Sequence, residues 1–113
     1  MTMAPINFGV LMIPYQTIDV AMPVDVLASC SKSMIEACQS PDSPELDRLL
    51  KHAIDINFFH INETMEPVEL TAAFKAVPTN TFENCPPLDY LIVGGPVSTY
   101  LLPNLSKALS APT

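Results

Sequence analysis

The chain has 113 residues, which is room for one small domain, since a single core organises about 100 to 150 residues before a chain splits. Hydrophobic residues make up 49% of it and charged residues 15%, which excludes a disordered segment and implies a buried interior. Twelve acidic residues against five basic ones give a formal charge of -7, so phosphate backbones and anionic lipid surfaces make poor partners, and neither nucleic acid nor a membrane is expected to bind.

The opening "MTMAPINFGVLMIPY" carries no basic residue before its apolar run and no small-residue cleavage site after it, so it does not read as a secretory signal. The run is also far short of the roughly 20 apolar residues that span a bilayer. A cytoplasmic location is therefore expected. Residues 6–13 are almost uninterrupted apolar positions without a charge, the pattern of a central strand buried on both faces of a parallel sheet. Pro14 closes that strand. From Thr17 a helical period places Val20, Val24, Leu27 and Ala28 on one face. Because Pro23 lacks an amide hydrogen, the expected arrangement is a short turn over 18–22 and a helix over 23–33.

The polar, proline-rich "QSPDSP" at 39–44 breaks the chain before "ELDRLLKHA", which reads as one or two helical turns. Residues 54–61, "IDINFFHI", have the aromatic and β-branched content of a second strand. "PVELTAAFKAVP" reads as an extended segment or hairpin arm ending at Pro78, and "TNTFENCPP" as a loop. A third strand at 90–93 ends on Gly94 and Gly95, and 98–109 has partly helical character. Glycines at the carboxyl end of a buried strand let backbone approach a ligand, and open α/β sheets bind ligands beyond those ends. The expected fold is α/β: a mostly parallel sheet of three to five strands with right-handed crossovers and helices on both faces.

Cys30, Cys38 and Cys85 form an odd set without CxxC spacing or a neighbouring histidine pair, so they are expected to be reduced thiols, with no zinc site and no disulfide framework.

Two blocks resemble the ThiJ/PfpI superfamily of class I glutamine amidotransferase-like proteins, in its isonitrile hydratase-like branch. In "FGVLMIPYQTIDVAMPVDVL", Ile18-Asp19 matches the branch's Leu-Asp or Ile-Asp pair, Pro23 its proline, and Asp25-Val26 its helix start, while Met22 replaces the usual glycine. "PTNTFENCPPLDYLIVGGP" is similar to the second block, a Thr-Phe pair, a loop, an Asp-Tyr strand and a glycine pair. The blocks cover about half of the chain. The resemblance implies a flavodoxin-like three-layer αβα sandwich, usually dimeric, that needs no metal or organic cofactor. It also implies a cysteine nucleophile on a sharp turn after the glycine pair, in a Cys-Thr-Gly or Cys-His-Gly context. This sequence has no such motif.

None of the three cysteines fits that role, since a nucleophilic thiol needs a helix N-terminus or a neighbouring base. Cys30 falls at the far end of the first helix, Cys38 in the break that follows, and Cys85 before two prolines. Asp19 is the principal candidate. The resemblance gives it proton transfer opposite the nucleophile, against the plainer reading of an acid that favours a helix start. Asp25 reads equally as a helix first-turn acid. The resemblance assigns Gly94 and Gly95 to oxyanion stabilisation through backbone amides, against a plain strand-ending turn, with Pro96 removing one donor. His52 and His60 have no partner at ligand spacing and read as surface or loop residues.

The expected function is that of the amino-terminal part, residues 1–113, of one ThiJ/PfpI-like domain, inactive by itself for want of the thiol. Its complete form would act on a small-molecule substrate. The alternative is a non-catalytic binding or interaction module, or the sensory domain of a transcription regulator. An uncovered sheet edge predicts a homodimer or self-association.

Overall fold

A computed structural model describes residues 4–38 and 40–100. Four parallel strands form the sheet in the order β5-β2-β1-β6: β1 (Ile6–Leu11), β2 (Ile56–Asn62), β5 (Asn80–Thr81) and β6 (Tyr90–Ile92). The charge-free run is β1, and it lies inside the sheet as its pattern requires. It pairs with β2 from Ile6 opposite Ile56 to Leu11 opposite Ile61, and with β6 from Phe8 opposite Tyr90 to Val10 opposite Ile92. With helices attached, this is the α/β, flavodoxin-like class expected of the sequence.

Two side-chain sets hold the register. Phe8 stacks on Phe58 at 5.7 Å and on Tyr90 at 5.1 Å, its partners across both neighbouring strands, so one aromatic row crosses β2, β1 and β6. One residue earlier, the Asn7 amide donates to Asp89 Oδ2 at 2.8 Å and its side chain donates to the Pro87 carbonyl at 3.0 Å. Asn57 Nδ2 donates to Asn7 Oδ1 at 3.1 Å, which ties the same residue to β2. Slipping either strand by one residue would break both sets.

Helix α1 runs Thr17–Ser29 with Pro23 inside it, so the turn expected over 18–22 is already helix and the expected end at 33 is four residues late. Pro23 cannot donate to the Asp19 carbonyl four residues back. The helix continues because Val20, 2% exposed, and Val24 both pack on the core, an advantage held by two successive turns against one missing bond. A separate helix α2 (Lys32–Cys38) follows, so Cys38 ends a helix rather than lying in a break. Its start has a local signal. The buried Ser31 hydroxyl accepts from Met34 N at 3.3 Å and donates to the Ala28 carbonyl at 2.6 Å, capping α2 while closing α1. Helix α3 (Leu46–His52) is the short helix expected after the proline-rich break.

The extended segment after β2 is a hairpin, β3 (Val68–Glu69) against β4 (Lys75–Ala76), around a 3-10 turn at Thr71–Ala73. Ala72 and Ala73 take positive φ values of 55° and 65°, left-handed backbone that costs an L-residue about 1 to 2 kcal/mol. Asn80 and Thr81, read as loop, form β5 because Thr79 N donates to the His60 carbonyl and Phe82 N to the Asn62 carbonyl, which seats them on the β2 edge. The core gathers where the end of β1, helix α1 and the hairpin meet: Val10, Met12, Tyr15, Val20, Val68 and Leu70. Of the helical segment expected over 98–109, Ser98–Tyr100 is a 3-10 turn and the remainder lies outside the described residues.

Candidate functional site

The site forms where the chain leaves β1 and where it leaves β6. Past β1, residues 14–16 lie antiparallel to 95–97: Gln16 N donates to the Gly95 carbonyl and Val97 N to the Pro14 carbonyl, both at 2.8 Å, around a bridge between Tyr15 and Pro96. This clamp presents the first turn of α1 to the glycine pair. Asp19, in that turn, accepts a hydrogen bond from Gly95 N on its Oδ2 at 3.0 Å, a contact spanning 76 residues of sequence. Asp19 itself is exposed.

Neither glycine has a positive φ, so backbone conformation does not call for them. Space does. A Cβ on Gly95 would stand 2.7 Å from Asp19 Oδ2, and a Cβ on Gly94 would stand 2.7 Å from Val20 Cγ2 and 3.2 Å from Tyr15 Cβ. The strand end is therefore pressed against the helix start, which is the close backbone approach that glycine permits. The fold thus brings together the three residues singled out in the sequence, Asp19, Gly94 and Gly95.

One contributor was missed in the sequence. Gln16 precedes the helix and makes no side-chain cap, but Thr71 Oγ1, from the hairpin turn, accepts from Thr17 N at 3.1 Å. The first amide of α1 is capped from 54 residues away, and no local pattern announces it. The same turn, with Pro14, Val97 and Ser98, lines a cavity of about 550 Å³ at the carboxyl end of the sheet.

The other candidates stand apart. Because α1 begins at Thr17, Asp25 falls beyond its first turn, which removes the helix-start role expected of it. Cys30 caps the far end of α1, Cys38 ends α2, and Cys85 lies in the loop before β6. His52 is exposed at the end of α3, as a surface residue should be. His60 is not a surface or loop residue: it lies within β2, and burial pushes its pKa down. Buried Tyr15 donates to Met12 Sδ at 3.7 Å, and burial pushes its pKa up. Among the described residues no group of three or more histidine, cysteine or acidic side chains could hold a metal ion, and no helix is long and apolar enough to cross a membrane.

No protein-family model matches the chain, and no curated protein does. Among solved structures it is similar to a ThiJ/PfpI family protein from Pseudomonas syringae, with a TM-score of 0.52 and 19% sequence identity. The match covers 85% of this chain and 31% of that one, so the chain spans about a third of the length of its structural neighbour.

Proposed function

We propose that the chain is the amino-terminal part of a ThiJ/PfpI-type protein of the isonitrile hydratase-like kind, supplying an acid and a backbone amide to a site whose thiol comes from elsewhere. The observation that carries this reading is the hydrogen bond from Gly95 N to Asp19 Oδ2, because it joins the two sequence blocks that resemble the family. The similarity of fold to a ThiJ/PfpI protein supports it.

In the complete site a thiolate attacks an electrophilic carbon of a small molecule, and Asp19 manages the accompanying proton or water. The Gly95 amide holds the carboxylate in place beforehand. When Asp19 takes a proton from the attacking water, whose hydroxyl goes to the substrate carbon, its oxygen becomes a weaker acceptor, and the amide is released toward the negative charge then developing on the substrate. One donor thus serves both stages. Among the described residues no thiol accompanies Asp19 in this arrangement, so the chain alone should not turn over substrate.

Intact-mass measurement of the protein from its native source tests this reading. A mass well above the 12.3 kDa of this chain, with a thiol-dependent hydration of an alkyl isonitrile that Asp19→Asn reduces, is the expected result. A native mass of 12.3 kDa would overturn the enzymatic reading in favour of a binding, interaction or sensory module.

A further inference from the structure

Between α1 and the β3–β4 hairpin lies a second cavity, of about 290 Å³, that involves none of Asp19, Gly94 or Gly95. Its walls are mostly apolar, with Val20 and Val24 from the helix and Leu70 and Phe74 from the hairpin. Three further residues in its lining, Thr17, Tyr15 and His60, are polar. Tyr15 is 5% exposed, and among the described residues its hydroxyl has only the thioether of Met12 as a partner, a weak acceptor that leaves the phenolic lone pairs unused. His60 is half-buried, and its imidazole makes no hydrogen bond among the described residues. Its backbone, by contrast, is firmly placed: its amide donates to Thr79 Oγ1 at 2.9 Å and its carbonyl accepts from Thr79 N at 2.8 Å.

We propose that this cavity binds a small uncharged molecule with an aromatic or alicyclic body and one hydrogen-bonding group, seated against His60 and Tyr15. The volume sets the size, since an apolar cavity of about 150 Å³ holds one benzene ring, so this one takes one or two rings. The lining sets the charge. Among the described residues no acidic side chain, lysine or arginine borders the cavity, so an ion would enter without a counter-charge, and the -7 net charge further disfavours an anion. The polar group follows from Tyr15 and His60, which offer donors and acceptors that the protein itself leaves underused. This inference stands independently of the function proposed above.

Titration of the full chain with phenol, toluene and benzoate, followed by calorimetry and amide NMR shifts, tests it. Saturable phenol binding is expected, with shifts at Val20, Val24 and Leu70. Toluene should bind about fivefold more weakly, the usual worth of one neutral hydrogen bond, and benzoate not measurably. His60→Leu should erase the preference for phenol over toluene, and Ala76→Phe, which fills the cavity from the hairpin, should abolish binding of both. Circular dichroism checks that each variant is folded, and either variant alone suffices. Absence of saturable binding, equal affinity for phenol and toluene, or phenol binding unchanged in a folded variant would overturn the proposal.

Discussion

Substituting Gly94 by alanine tests whether the close approach of the β6 end to α1 is as tight as the geometry requires. The added Cβ would stand 2.7 Å from Val20 Cγ2, where ordinary contact begins near 3.4 Å, so about 0.7 Å must be found. It cannot come from Val20 turning aside, because a β-branched residue in a helix keeps essentially one χ1 rotamer. Nor is there room the other way, with Tyr15 Cβ at 3.2 Å. The first turn of α1 must move off the strand end, lengthening the 3.0 Å bond between Gly95 N and Asp19 Oδ2. Overpacking of this kind costs about 1 to 3 kcal/mol, which in a domain of this size lowers Tm by roughly 4 to 8 °C for each kcal/mol. Urea and thermal unfolding of Gly94→Ala, Val20→Ala and the double variant measure it. Removing Cγ2 first should make the alanine cheaper, with a coupling of at least about 0.5 kcal/mol. Equal costs of Gly94→Ala in both backgrounds would refute the reasoning.

Thr71→Val keeps the shape of the hairpin turn but removes the acceptor for Thr17 N, so unfolding experiments should show a loss of about 1 kcal/mol and faster exchange of the first α1 amides. Phe8→Ala removes the middle ring of the aromatic row and should cost about 3 kcal/mol, with loss of near-ultraviolet dichroism. Burial holds the His60 pKa below its ordinary 6.5, so the unfolded chain binds the proton more readily than the folded one. Stability should therefore fall as pH drops through 6.5, and His60→Leu should flatten that part of the pH–stability curve. Leu91, 52% exposed on the edge strand β6, is a site for edge-to-edge pairing; light scattering should find the chain self-associating and Leu91→Lys shifted toward monomer.

Much of the fold was legible because long apolar runs have few places to go. The 6–13 run without a charge could only be an inner strand, and it lies between β2 and β6. The helix boundaries were less legible. Pro23 argues for a helix start when read locally, and only burial of Val20 and Val24 explains why the helix passes through it. Asp25 was misplaced for the same reason. Ser31 did carry a readable cap signal, obscured by the expectation that α1 ran to 33. His60 could not be placed by spacing, since its surroundings come from a helix far back in the sequence as well as from the hairpin that follows it.

By itself, then, the sequence determined the α/β class of fold and the central strand, because hydrophobic period is a local property, while Asp19, Gly94 and Gly95 were singled out through the family resemblance of two sequence blocks. Tertiary structure alone decided that Asp19 meets the Gly95 amide, that α1 is capped by Thr71, and that His60 and Tyr15 border one cavity. Each of these joins groups 45 or more residues apart, and such contacts are set by how the elements pack in three dimensions, which no local pattern encodes.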